Sequence, residues 1–143
     1  MPNQIEKNLA AICNQYDIAD LYVFGSRDKE IAGLVTGDAT LNSNTESDVD
    51  MGVLPATRET WSPEKRVKLT MALEDLFQVG RVDLVLLHEA EPYVALDVIR
   101  GELLYSQDLD QQARYELFVL RRAADLLPFK KERIRMIMEE GAR

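Results

Sequence analysis

At 143 residues, with a formal net charge of −8, the chain is long enough for one domain with a sizeable core. The acidic balance argues against bulk nucleic acid as main partner, because phosphate binding depends on Lys and Arg that release counterions. A single cysteine, Cys13, excludes an intramolecular disulfide. Residues 1–17 are too polar for a signal peptide or a membrane span, so a cytoplasmic protein without membrane contact is expected.

The first element is a helix over Pro2 to Tyr16, whose Ile5, Leu9, Ile12, Cys13 and Tyr16 recur on one face. That pattern makes Cys13 a small core residue rather than a nucleophile. Leu21, Tyr22, Val23 and Phe24 then read as a buried strand broken by Gly25, with Ser26 placed to cap a short helix. A turn of this kind suits a phosphate. Glycine lets the backbone approach an anion, and the first N–H groups of a helix favour negative charge.

In Ser47-Asp48-Val49-Asp50-Met51-Gly52-Val53-Leu54, alternation puts Val49, Met51 and Val53 on one strand face and Asp48 and Asp50 on the other. Like charges on one face repel, and a hard divalent cation is the obvious reason to keep them together. Magnesium fits best, since it is usually held by one or two carboxylates plus substrate phosphates. Each half alone is better read as a plain turn or as the solvated side of an edge strand. Taken together, a phosphate-cradling turn and a carboxylate pair suggest nucleotide chemistry.

Between them, residues 27–47 include Gly33, Gly37, Asp38, Asn42, Ser43 and Asn44, a loop-like composition that predicts an inserted surface loop. Asn42, Asn44, Glu46, Asp48 and Asp50 alternate oxygen-bearing side chains, as a calcium loop does. Ser47 and Val53 occupy the sixth and twelfth positions, where an EF-hand needs Gly and Glu, so calcium sensing is set aside.

Pro55 to Trp61 reads as a loop, and Ser62-Pro63-Glu64 as the cap, first position and acidic first turn of a helix. Leu69, Ala72, Leu73, Leu76 and Phe77 supply its buried stripe and Gly80 is expected to stop it. Trp61 reads as a packing anchor rather than a base-stacking residue. Arg81 to Leu87 is a strongly apolar strand carrying Asp83, a costly residue there unless it finds a partner or a metal. Two readings of Asp83 stay open: a third acid beside the Asp48–Asp50 strand, or a salt bridge with neighbouring Arg81.

His88 ends that strand before a loop and reads as a solvated histidine without the nucleophile or orienting acid that a His-based site needs. A helix over Tyr93 to Arg100, ended by Gly101, and a short strand at Leu103-Leu104-Tyr105 follow. From Ser106 or Asp108 a helix begins in which Ala113, Leu117, Leu120, Ala124 and Leu127 repeat, and Pro128 is expected to interrupt it. Residues 129–140 set Ile134, Ile137 and Met138 against Lys130, Lys131, Arg133 and Arg135, a solvated face or a docking surface for a partner.

The pattern apolar-Gly25-Ser26-Arg27, then Ser47-Asp48-Val49-Asp50 followed by apolar residues, resembles the nucleotidyltransferase superfamily that includes DNA polymerase β. The chain looks like its minimal-nucleotidyltransferase (MNT) branch, commonly the antitoxin half of HEPN–MNT toxin–antitoxin pairs. Its gap between Ser26 and Asp48 is longer than the family pattern has. The resemblance implies an α/β fold, a small mixed sheet with helices mainly on one side and a C-terminal helical tail, with a core over residues 1–107 and a helical extension over 108–143. It implies that Gly25 and Ser26 hold a nucleotide triphosphate, which Arg27 helps neutralise, and that Asp48 and Asp50 bind magnesium. Asp83 matches the superfamily's third carboxylate, completing a two-metal arrangement. The implied activity is transfer of AMP from ATP to a tyrosine of a cognate HEPN ribonuclease toxin. Neutralisation of the toxin by binding alone, and modification of a small molecule, are the alternatives.

Overall fold

The computed structural model describes residues 3–37, 48–57 and 59–141, with the side chains of 130, 140 and 141 outside the description. Its organising strand is β1 (Ile18–Phe24), the apolar run ahead of Gly25. β1 pairs antiparallel with β2 (Val49–Pro55) on one side and with β4 (Glu102–Ser106) on the other. β3 (Val82–Leu86) lies parallel to β2, giving the mixed order β3-β2-β1-β4. A parallel neighbour requires a crossover. Helix α3 (Pro63–Phe77) supplies it.

Alternation along the strands sorts their side chains into two layers. Leu21, Val23, Val49, Met51, Val53 and Leu84 face the larger core, which α1 (Gln4–Gln15), α2 (Asp28–Thr36) and α3 close with Leu9, Cys13, Ile31, Leu69, Leu73 and Phe77. Burial pushes the Cys13 thiol up to about 12, the chemistry of an inert core residue. Tyr22, Val98 and Val119 form a smaller cluster on the opposite face, under α4 (Pro92–Ile99) and the first turns of α5 (Leu109–Gly141). There the Tyr22 hydroxyl donates to Glu116 Oε1 (3.0 Å), and Gln112 Nε2 donates to both that hydroxyl (2.8 Å) and Glu116 (2.7 Å). A satisfied buried network of this kind fixes α5 in one register on the sheet.

Helix starts follow the expected chemistry. The Asn3 side chain accepts from Glu6 N, Ser62 Oγ accepts from Lys65 N ahead of Pro63, and Asp108 accepts from Asp110 N and Gln111 N. Helix ends depart from it. α3 stops at Gln78, not Gly80: Gln78 takes the left-handed conformation (φ 55°), its N–H donates to the Glu74 carbonyl and its side-chain amide to the Asp75 carbonyl. Those two bonds offset the steric cost of a non-glycine residue there. Pro128 does not interrupt α5 either, which runs on from Leu109 to Gly141. The ring removes one backbone bond, and the Lys, Glu, Arg, Ile and Met residues beyond it are good enough helix formers to continue. Among the described residues, no helix is long and apolar enough to cross a membrane.

β4 enters the sheet through a very close backbone approach. A Cβ on Gly101 would run into the Val23 carbonyl oxygen and come within 2.8 Å of Phe24 Cα. Neither atom can rotate away. Gly101→Ala should therefore destabilise the fold by about 2 kcal/mol or more, as overpacking against fixed atoms does, whereas Ala72→Gly on α3 should cost about 1 kcal/mol. Urea denaturation of the two variants measures the contrast.

Candidate nucleotide and cation site

The residues of interest gather where β1 ends and β2 and β3 begin. The β1–β2 register sets Phe24 opposite Asp50, and the parallel β2–β3 register sets Asp50 beside Asp83. Val49, Met51 and Val53 fill the larger core, so Asp50 points to the other face of the sheet. Gly25 adjoins it: with φ 84° it turns the chain, and a Cβ there would sit 3.0 Å from Asp50 Oδ2. The missing side chain leaves space against that oxygen.

Asp48 precedes β2 and its side chain is 50% exposed; that of Asp83 is 41% exposed. Asp50 is half-buried. Partial burial, then the like charges of Asp83 and Asp48, push its carboxyl above the ordinary carboxylate range. Asp50 thus feels the charges of the other two acids. Arg81 lies over the outer pair, its Nε 3.0 Å from Asp83 Oδ1 and 4.0 Å from Asp48 Oδ2. Both open readings of Asp83 therefore describe the same residue: it neighbours Asp50 and it pairs with Arg81. The second contact of Arg81, to Asp48, depends on strand register and carries no signal in the sequence.

Two residues of the corner sit differently from expectation. Ser26 is exposed but does not cap α2, which begins at Asp28 with Arg27 at its N-cap position. Gly25 itself carries the turn, its carbonyl accepting from Asp28 N at 3.3 Å, so the helix starts later. Arg27 makes a bidentate pair with Glu30, Nε to Oε2 and Nη2 to Oε1 both at 3.0 Å, and its side chain is only 10% exposed. That bond holds the Glu30 carboxyl below its usual range. While it persists, the Arg27 charge is already matched. The segment 27–47 is partly helical, since α2 runs through Gly33 to Thr36 and Gly37 closes it at φ 88°. The alternating oxygen-bearing residues from Asn42 to Glu46 lie outside the described residues.

Trp61 is buried beneath the Lys65 ammonium, 4.3 Å above its ring, as a packing anchor. His88 is not solvated. It sits in a 3₁₀ turn (Leu87–Glu89) with both ring nitrogens buried and, among the described residues, without a hydrogen-bond partner, Nε2 standing 3.8 Å from Glu89 Oε1. Five residues beyond Asp83, it is roughly 15 Å along the strand direction from the acids. A cavity of about 890 Å³ lies at that far end, lined by Asp20, His88, Arg114, Tyr115 and Arg122 among others. A smaller cavity, about 360 Å³, is lined by Gly25 with Phe24, Asp28, Asp97, Arg100 and Gly101, and touches the acids only through Gly25, whose neighbour is Asp50.

Among the described residues, no three His, Cys, Asp or Glu side chains are grouped closely enough to hold a metal ion by themselves. The donors nevertheless suit a hard cation of the magnesium type, which takes one or two carboxylates and completes its shell with water and phosphate. Asp50, with Asp83 beside it and the open space at Gly25, offers that partial set.

The electrostatics set a stability consequence for the metal-free protein. A carboxyl whose folded pKa is raised keeps its proton to higher pH than the unfolded chain does. Its contribution is nil at pH values below the ordinary carboxylate range and becomes destabilising as pH rises through it. Asp50→Asn should raise Tm at neutral pH in the presence of a chelator, and the gain should vanish as the pH is lowered below the ordinary carboxylate range; thermal melts across that pH series check it.

The sequence matches the family model "Polymerase beta, Nucleotidyltransferase" over residues 7–110. No curated protein matches it. In fold it resembles a chain from a crystal structure of a toxin–antitoxin with AMP-PNP (TM-score 0.66, 20% identity, covering 93% of this chain and 98% of that one). It also resembles a chain from the complex of tri-AMPylated Shewanella oneidensis HEPN toxin with MNT antitoxin (TM-score 0.66, 18% identity, 94% and 96%). A third similar structure is the toxin–antitoxin MntA–HepT (TM-score 0.66, 18% identity, 94% and 97%). At these identities the likeness shows the fold. The family model spans most of the chain, including Gly25, Asp48, Asp50 and Asp83, and the protein therefore belongs to the polymerase β-type nucleotidyltransferase family.

Proposed function

We propose that the chain is the antitoxin of a HEPN–MNT pair and a magnesium-dependent adenylyltransferase, moving AMP from ATP to a tyrosine hydroxyl of its cognate HEPN ribonuclease toxin. The observation that carries this reading is the placement of Asp50: beside Asp83 in register, and against the open corner at Gly25. The family supports the reaction class. The similar structures support the rest, one containing AMP-PNP and another an AMPylated HEPN toxin bound to an MNT antitoxin.

In this reading Gly25 and Ser26 receive the triphosphate, with backbone N–H groups and the start of α2 facing negative charge. Asp48 and Asp50 would hold the cation, and Asp83 would stand nearest the attacking hydroxyl. When bound, magnesium supplies charge neutralisation on the phosphates and lowers the cost of forming the nucleophilic oxygen. The new bond joins the acceptor oxygen to the α-phosphorus and the bond to the bridging oxygen breaks, releasing pyrophosphate. The hydroxyl proton passes to Asp83. Oxygen donors alone suffice for this chemistry, which matches a site without cysteine or histidine.

A second reading, neutralisation by binding alone, is favoured by the exposed apolar residues of α5, among them Leu120, Leu127, Phe129, Ile134 and Met138. One experiment separates the two. Incubated with the HEPN protein, ATP and magnesium, the wild type should add the mass of AMP to that partner, and Asp50→Asn should slow the addition by about two orders of magnitude or more. No added AMP with the wild type counts against catalysis. Neutralisation that survives the Asp48→Asn/Asp50→Asn double substitution would favour binding alone.

A further inference from the structure

The acids that would hold the cation already have a cation on them. Asp48 and Asp83 each make an ion pair with Arg81, and among the described residues these are the ion pairs of the carboxylate group. Its backbone is fixed, the Arg81 carbonyl accepting from Val49 N at 3.0 Å as the parallel pairing of β2 and β3 begins. Residues 81 and 83 project to the same side of an extended chain, and the register brings Asp48 alongside. The guanidinium is held over the outer two acids as a consequence of fold, whereas its side chain is 68% exposed and has little packing to lose on leaving. Of the other arginines near the corner, Arg27 is paired with Glu30 and Arg66 with the Leu84 carbonyl, and Arg100 lines the cavity beside Gly25 rather than the acids.

Resting on the reading of Asp48, Asp50 and Asp83 as cation ligands, we propose that Arg81 is the resident counter-cation of this group, displaced more readily when a divalent cation arrives with a nucleotide than when it arrives alone. A bare cation must separate Arg81 from two carboxylates or accept a positive neighbour. A cation carried on a triphosphate brings its own negative charge, and the released guanidinium has phosphate oxygens to pair with. Arg81 thereby couples the two ligands: the site favours the metal–nucleotide complex over the free metal. It is a positioning residue, acting through the acids.

The test reads cation binding directly, by the loss of the free Mn²⁺ electron paramagnetic resonance signal on titrating the full chain. Without nucleotide, Arg81→Gln should bind Mn²⁺ about three- to fivefold more tightly than wild type, the range expected for breaking an exposed ion pair. Arg81→Lys, which keeps the charge, should stay within about twofold of wild type. With a non-hydrolysable ATP analogue present, the advantage of Arg81→Gln should disappear. Equal affinity of wild type and Arg81→Gln without nucleotide, while Asp50→Asn abolishes binding in both, would overturn the role of Arg81 and leave the cation site standing. An Arg81→Lys protein as tight as Arg81→Gln would overturn it as well, because charge is the proposed agent. Mn²⁺ binding unaffected by Asp50→Asn and Asp83→Asn would overturn the site itself, and the role of Arg81 with it.

Discussion

The register between β2 and β3 is the constraint on which everything else turns. A parallel pairing that sets Asp50 beside Asp83 forces two carboxylates from distant parts of the chain onto one patch of sheet, with Asp48 close enough to add its charge. A slip of one residue would send Asp50 into the core and Val49 to the site, which the fully buried Val49, Met51 and Val53 forbid. The hydrophobic pattern of the strand thus fixes the chemistry of its opposite face. The same apolar residues that stabilise the fold hold the acids against their mutual repulsion.

The surroundings temper that repulsion differently at each acid. Asp83 and Asp48 are partly exposed and share Arg81, so water and the guanidinium screen them. Asp50 has no such partner among the described residues, and partial burial with the like charges of Asp83 and Asp48 pushes its carboxyl up. Gly25 keeps the space at its Oδ2 open, and Gly101 lets β4 close over the end of β1 just before that turn. Two glycines, each required by a close approach, shape the corner from both sides.

Much of this architecture is legible in the sequence because it rests on local patterns. The alternation around Asp50, the cap at Ser62-Pro63 and the helical stripe of α1 each follow from a periodicity or a side-chain bond within a few residues. What local pattern does not carry is chosen by tertiary packing. Gln78 ends α3 through two bonds to last-turn carbonyls where Gly80 would have been the ordinary choice, and α5 tolerates Pro128 within its long exposed stretch. The ring nitrogens of His88 are buried in its 3₁₀ turn, although its flanking residues read as a loop. At the site, the acids are legible as types and spacings. The Arg81–Asp48 contact is not, since 33 positions of numbering separate residues that only strand pairing brings together.

In the proposed function the acids at 48, 50 and 83 and the corner at Gly25 and Ser26 are one site for a metal–nucleotide complex. The most direct measurement is a crystal structure with Mn²⁺ and a non-hydrolysable ATP analogue, using the anomalous signal of the metal to find it without bias. The account predicts a peak about 2.1–2.3 Å from carboxylate oxygens of Asp50 and a neighbouring acid, with the triphosphate at Gly25 and Ser26. A peak remote from the three acids, or a nucleotide seated instead in the larger cavity beside His88 and Arg122, would contradict it.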